Sequence, residues 1–231
     1  MPSLAPFLSL IIPAHNEARR LPDTLKQVLS FIEKQPYRTE VIIVENGSQD
    51  ETLQIAQDFA GRHPQVKVMQ EKERGKGLAV KKGMLAAQGA YRFMADADLS
   101  MPISEIPRFL PPRLVGFDVA IASRELPGAV RYHEPSYRHW GGRAINLIIR
   151  SLALPDLHDT QCGFKCFRAA VAEDLFSHQT LRGWAFDIEI LYIARLRGYC
   201  LVEVPIPWYF NPESKLHVVS DALRMVADII K

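Results

Sequence analysis

Short apolar runs alternate with amphipathic stretches through the first 122 of 231 residues, and no other feature limits the fold as strongly. Phe7–Ile12 is an apolar run closed by Pro13, as expected of a buried strand. Leu21, Leu25, Val28, Leu29 and Ile32 then recur at helical spacing, with Pro22 in the first turn where a missing N–H is harmless. Val41–Val44 reads as a second strand. Ser48-Gln49-Asp50-Glu51 has capping-box form and predicts a helix carrying Leu53, Ala56 and Ala60 on one face. Val66–Met69 is a third predicted strand, residues 77–88 a third helix, Tyr91–Ala95 a fourth strand and Asp118–Ala122 a fifth. Strands separated by helices at this spacing call for crossovers. The expected class is α/β, a Rossmann-like, mostly parallel sheet with helices on both faces.

The second half is less regular. Pro102–Pro112 is interleaved with Ile103, Ile106, Phe109 and Leu110, which argues for a structured connection. Helices are expected over 138–152, 185–197 and 216–230, with strand-like Cys200–Ile206 between the last two. A chain of this length buries one sizeable core, so residues 1–231 are read as one domain, whose pattern changes between a regular half, 1–122, and a less regular half, 123–231. A net charge of +2 does not suggest a nucleic-acid binder. Cys162, Cys166 and Cys200 are an odd set without a second ligand pair, pointing to reduced, packed thiols in a cytosolic compartment. No apolar stretch reaches the ~18 residues of a membrane span, and residues 1–12 lack the pattern of a targeting peptide. Arg131, Arg138, Arg143 and Arg150 face the single acid Glu134 across 131–150, beside Tyr137 and Trp140. This segment reads either as core packing with a solvated basic face or as a peripheral contact of a cytoplasmic protein with the inner face of a membrane.

Four loops should gather at the carboxyl edge of the sheet, where open α/β sheets bind ligands: Pro13–Glu17, Glu45–Asp50, Arg74–Gly77 and Asp96–Ser100. Asp96 and Asp98 are expected to point the same way, as alternate residues of extended chain do. Two hard carboxylates on one short turn suit Mg²⁺ or Mn²⁺ shared with a diphosphate. Glu-Asn-Gly-Ser-Gln-Asp offers acceptors for a base or ribose, and Arg74-Gly75-Lys76-Gly77 offers cations without the spacing of a P-loop.

With these motifs in place the chain resembles the family 2 inverting glycosyltransferases of GT-A fold. The resemblance rests on SLIIPAHNEARRLPDTL, VIIVENGSQDET, RGKGLAVKKGM and MADADLS. In the second half DTQCGFKCF, GWAFDIEILYIA, EVPIPW and SKL resemble the polyprenyl-phosphate hexosyltransferases, most of all those that glucosylate dolichyl phosphate, with mannosyl relatives further off. The resemblance spans about residues 8–220. It implies donor contacts at Pro13, His15, Glu17, Glu45, Asn46, Lys76, Asp96, Ala97 and Lys215, and a metal at Asp96, Asp98 and Ser100. Arg124 and Arg138 are implied to hold the acceptor phosphate. Where relatives carry Asp-Asp this chain has Glu45-Asn46, and some bacterial relatives carry Asp where it has Gly163.

The implied reaction moves a hexose, glucose from UDP-glucose in preference to mannose from GDP-mannose, to a polyprenyl phosphate. A lipid phosphate arrives anionic and needs arginines more than a base. A soluble hydroxyl acceptor would need a carboxylate, for which Asp187, Glu189 and Asp159 are available. The same residues also admit an Asp-nucleophile phosphatase or a sensor of nucleotide-sugars without turnover.

Overall fold

A computed structural model describes residues 5–135, 146 and 153–212. The strands are β1 (Leu8–Ala14), β2 (Thr39–Glu45), β3 (Val66–Gln70), β4 (Tyr91–Ala95), β5 (Val119–Ser123), β6 (Val130–Tyr132), β7 (Phe164–Arg168), β8 (Leu201–Pro205) and β9 (Pro207–Tyr209). The α-helices are α1 (Leu21–Ile32), α2 (Thr52–Arg62), α3 (Lys76–Ala86), α4 (Ala169–His178) and α5 (Phe186–Leu196). Residues Ile103–Phe109 form a 3₁₀ turn between β4 and β5, burying Ile103, Ile106 and Phe109 as the spacing implies.

Seven strands form one sheet in the order β3-β2-β1-β4-β7-β5-β8. β1 to β4 are mutually parallel, as expected of the alternating half. β7 runs antiparallel to both β4 and β5, and β8 runs parallel to β5. One edge of the sheet therefore collects the carboxyl ends of β1–β5 and β8 together with the amino end of β7. Pairing of Ala95 with Phe164 fixes that register, setting Gly163 beside Asp96.

The apolar runs are continuous because both faces are covered. Leu8, Leu10, Ile12, Val41 and Ile43 pack on one side with α1, α2 and the 3₁₀ turn. Ile11, Ile42 and Val44 pack on the other with α3, α4 and α5. Phe93, Phe109 and Phe164 meet edge to face at centroid distances of 4.5–5.4 Å, tying the 3₁₀ turn to β4 and β7.

Three local expectations are corrected. α2 begins at Thr52 without a capping box: Asp50 Oδ1 accepts the Thr52 N–H at 3.0 Å, and the Ser48 hydroxyl serves Asn16 instead. Its buried positions are Thr52, Ala56 and Phe59, while Leu53 and Ala60 are half-buried. β7 was expected only as a motif, because Lys165 and Gly163 interrupt its apolar run. The helices expected over 138–152 and 216–230 lie outside the described residues, apart from Asn146. Among the described residues no helix is long and apolar enough to cross a membrane.

Candidate functional site

The first two loops interlock before they meet any ligand. Asn16 N–H donates to Ser48 Oγ at 3.0 Å, Gln49 N–H to Asn16 Oδ1 at 2.8 Å, and Glu17 N–H to Thr52 Oγ1 at 2.7 Å. Pro13, next to last in β1, delivers His15, whose Nδ1 lies 2.7 Å from Asn46 O. That bond orients the imidazole at the mouth of the edge. Glu17 and Arg20 form a two-pronged pair at 2.7 and 2.9 Å. Buried Glu45 takes the backbone N–H of Ser48.

Asn46 was expected to offer an acceptor toward base or ribose. Its amide instead fastens the second loop to the third. Nδ2 donates to Glu73 O at 2.6 Å and to Glu71 O at 3.3 Å, and Oδ1 accepts the Gly75 N–H at 2.8 Å. An uncharged amide suits that task, since it donates and accepts at once.

The expected extended spacing of Asp96 and Asp98 is also corrected. Both follow β4 in a turn, with Leu99 at φ 46° and its N–H bonded to Asp96 O at 3.2 Å. Ala97 O accepts the Thr24 hydroxyl at 2.6 Å, anchoring the turn to α1. Ser100 donates its N–H to Asp98 Oδ1 at 3.0 Å and adds its hydroxyl, so it orients the carboxylate. Burial and the neighbouring Asp96 charge push the Asp98 carboxyl above its usual range. Two carboxylates close enough to raise one pKa are a site short of positive charge.

Part of that charge comes from Lys76, the first residue of α3, whose Nζ lies 2.6 Å from Asp96 Oδ1. The same ammonium sits 5.0 Å from the Trp184 ring centroid. Burial opposes its charge, but Asp96, Asp187 and Asp98 outweigh burial and raise its pKa. Asp187, in the first turn of α5, is buried and 2.6 Å from Lys165 Nζ, which also donates to Cys162 O at 2.6 Å. Desolvation raises the Asp187 carboxyl despite the two lysines.

Sequence reasoning passed over Lys165 and Glu203 here, and noted Gly163 only as a departure from relatives. Lys165 stands inside an apolar strand, where a lone lysine reads as solvent-facing, yet 1% of its side chain is exposed. Gly163 leaves room for Asp96: a Cβ there would lie 1.9 Å from Asp96 Oδ2. Glu203, on β8, accepts the backbone N–H groups of His158 and Asp159, each at 2.9 Å. The oddity of a lysine within GFKCF hinted at the first, and the departure from relatives at Gly163 hinted at the second; nothing pointed to Glu203.

On the acceptor side, Arg124 was expected to hold a phosphate. Its Nε and Nη2 pair with Asp159 at 2.7 and 2.9 Å, above the Trp208 ring. Burial opposes ionisation of Asp159, but Arg124 prevails and holds the carboxyl at about 2. Such a carboxylate is too weak a base for a neutral-pH reaction. Glu189 closes the 180–181 turn through Thr180 N–H and Leu181 N–H, both at 2.8 Å, and makes no pair with Arg195 or Arg197. Arg131, expected in an open basic patch, is held by Glu125 and Glu134. Arg138, Arg143, Arg150 and Lys215 lie outside the described residues. Cys162 and Cys166 are buried and unpaired with each other, as packing thiols should be; Cys200 is exposed.

The residues fit a divalent cation by donor chemistry: two clustered carboxylates and a hydroxyl, all hard oxygens, with one carboxyl destabilised by its neighbour. Among the described residues no cluster of three His, Cys, Asp or Glu side chains forms a closed metal cage.

Comparison with known proteins agrees with this geometry. Residues 9–176 match the family model described as glycosyl transferase family 2. Dolichyl-phosphate beta-glucosyltransferase of Drosophila melanogaster is 35% identical over 96% of the chain and 73% of the relative. The Homo sapiens protein of the same name is 31% identical over 96% of the chain and 74% of its own length. Glucosyl-3-phosphoglycerate synthase of Mycobacterium tuberculosis, in a crystal structure with Mn²⁺, UDP-glucose and phosphoglyceric acid, superposes with a TM-score of 0.72 at 15% identity. That match covers 97% of this chain and 78% of the other, and it shows the shared GT-A fold.

Proposed function

This chain belongs to glycosyltransferase family 2, and we propose that it transfers glucose from UDP-glucose to a polyprenyl phosphate of the dolichyl type, with inversion at the anomeric carbon. The observation that carries the reading is an identity of 31–35% across nearly the whole chain to enzymes named for that reaction. The site supports it from the residues up, with the half up to 122 holding the donor and the half from 123 the acceptor.

Asp96 and Asp98, with Ser100, would hold Mg²⁺ or Mn²⁺, which when bound supplies Lewis-acid charge to the leaving diphosphate. Lys76 adds a second positive charge at the same place. His15 presents a flat ring fixed by Asn46 O, suited to stacking on a base. Lys215 closes over the donor in this reading.

The carboxylates proposed as bases have partners: Asp159 holds Arg124, Asp187 holds Lys165, and Glu189 holds a turn. An acceptor that is already ionised, as a phosphate is near neutral pH, needs none of them. Asp159 locks Arg124 so that its remaining N–H groups have a fixed direction. With Arg138 it would align the acceptor oxygen in line with the leaving group. The membrane contact is peripheral and cytosolic in this proposal. Stacked, half-exposed Tyr132 and Tyr209, with ring centroids 4.5 Å apart on the β6–β9 ribbon, are side chains suited to an interface.

The test is incubation with UDP-glucose or GDP-mannose, with and without polyprenyl phosphate and chelator, followed by organic extraction of labelled product. Metal-dependent, lipid-extractable glucose is the expected result. Incorporation from GDP-mannose alone would reassign the donor. Label confined to water-soluble product would reassign the acceptor.

A further inference from the structure

We propose that Lys76 is the resident counter-ion of the Asp96–Asp98 pair and must leave Asp96 before a divalent cation can bind, so that cation and nucleoside diphosphate load the site together. This rests on reading Asp96 and Asp98 as cation ligands.

Both oxygens of Asp96 have close neighbours. Oδ1 is 2.6 Å from Lys76 Nζ, with 15% of the lysine side chain exposed. Oδ2 faces the backbone at Gly163, where even a Cβ would approach to 1.9 Å. The carboxylate is therefore packed between the ammonium and the Gly163 backbone, with 28% of its side chain left open on the side from which a cation would arrive. A divalent ion on this carboxylate and an ammonium hydrogen-bonded to it would repel at a few ångströms in a half-buried site, where screening is weak.

The backbone that carries Lys76 is pinned. A Cβ on Gly75 would meet Arg182 O at 2.4 Å, and one on Gly77 would meet Leu181 O at 2.7 Å. Leu78 N–H donates to Arg182 O at 3.3 Å, and Gln179 Nε2 to Gly77 O at 2.9 Å. The start of α3 is thus packed against the 179–182 turn, which Glu189 holds in place. Release from Asp96 has to be a swing of the side chain alone.

A swing has somewhere to end. Trp184 offers its face 5.0 Å from Nζ, and the buried Asp187 charge acts on the same ammonium. Lys165 is committed to Asp187 Oδ1 and Cys162 O, so it does not take over the seat on Asp96. A displaced Lys76 stays beside the turn that receives the leaving diphosphate, whose charge rewards the move. The free protein should then bind a cation weakly, and a nucleoside diphosphate should tighten it by drawing Lys76 away. By linkage the cation tightens the nucleotide equally.

Mn²⁺ binding read by electron paramagnetic resonance, with and without UDP, tests this on the full chain. Wild type is compared with Lys76→Met and Lys76→Gln, which remove the charge, and Lys76→Arg, which keeps it. Circular dichroism identifies the variants that retain the fold. Without nucleotide, the neutral variants should bind Mn²⁺ at least roughly tenfold tighter, because wild type must first part Lys76 from Asp96 or keep a unit charge a few ångströms from a divalent ion, which is strongly unfavourable even at an effective dielectric of about 20. Their gain on adding UDP should shrink, and Lys76→Arg should stay weak. Unchanged or weaker Mn²⁺ binding by both neutral variants, with wild type still binding in the presence of UDP, overturns the counter-ion role alone. Absence of Mn²⁺ binding by wild type even with UDP overturns the cation-ligand reading beneath it.

Discussion

Gly163→Ala should nearly abolish transfer while leaving the protein folded. Gly163 lies outside the left-handed region, so alanine suits its backbone and only the close approach matters. The new Cβ would stand 1.9 Å from Asp96 Oδ2, 2.4 Å from Cγ and 2.8 Å from Oδ1, against ordinary contact beginning near 3.4 Å. The carboxylate must retreat by about 1.5 Å, the difference between those values. Asp96 is a short side chain on a turn, so it can yield where backbone could not. An off-rotamer side chain costs about 0.5–1.5 kcal/mol, which at roughly 2–4 °C per kcal/mol lowers Tm by no more than about 6 °C. Catalysis is far less forgiving, since a misplacement near 1 Å costs about 10²-fold. Initial rates with UDP-glucose and polyprenyl phosphate, beside thermal melts, measure both. A variant within about threefold of wild-type rate would refute the steric argument, because that loss is far below the expected factor.

Asp159→Asn should destabilise by about 3–5 kcal/mol, because it leaves the Arg124 guanidinium half-paired in a buried place. It should also remove part of the acid sensitivity. A carboxyl held at about 2 stabilises above the unfolded value near 4, and that stability is lost as pH falls from about 4 to 2. Melts between those values, wild type against variant, check the sign. Asp98 and Asp187 act oppositely: their raised values give stability below the unfolded pKa that is lost as pH rises through the folded one. Asp98→Asn should therefore remove transfer yet melt no lower than wild type at pH 7 without cation, read by the same assays. Asn46→Ala should cost about 1–3 kcal/mol and weaken UDP in calorimetry, since Gly75 N–H and two carbonyls lose their partner. Arg138→Ala should lower transfer to lipid phosphate far more than UDP affinity; equal losses would remove it from the acceptor side.

Much of this architecture is legible in the residue pattern because both faces of the sheet are covered. Ile11 and Ile12 face opposite layers yet are both apolar, which is what marks a buried parallel strand. The edge holding the loops follows from that alone. β7 was not legible: its pairing is long-range, and its single cation reads as solvent-facing until α5 supplies Asp187. The braces on Asn46 and Arg124 were not legible for a related reason. A polar residue beside a ligand site looks the same in sequence whether it faces the ligand or braces the loop that does. Asn46 braces Arg74–Gly77, and Arg124 is itself braced by Asp159, neither of which is near it in the chain.

The antiparallel β7 also explains why two charged residues, Lys165 and Asp187, are buried beneath the half-buried Lys76, Asp96 and Asp98. By reversing direction between β4 and β5, it brings its amino end to the edge where the parallel strands finish, so Gly163 meets Asp96 there. Lys165, two residues further on, then points into the layer beneath α3 and α5, where an unpaired ammonium would be strongly disfavoured. Asp187 answers it, and Asp187 in turn acts on Lys76. Three carboxylates, Asp96, Asp98 and Asp187, thus share two ammonium groups, Lys76 and Lys165, and the set is one positive charge short. A divalent cation supplies more than that deficit. An incoming diphosphate absorbs the excess, which is the charge balance a shared cation and nucleotide site needs.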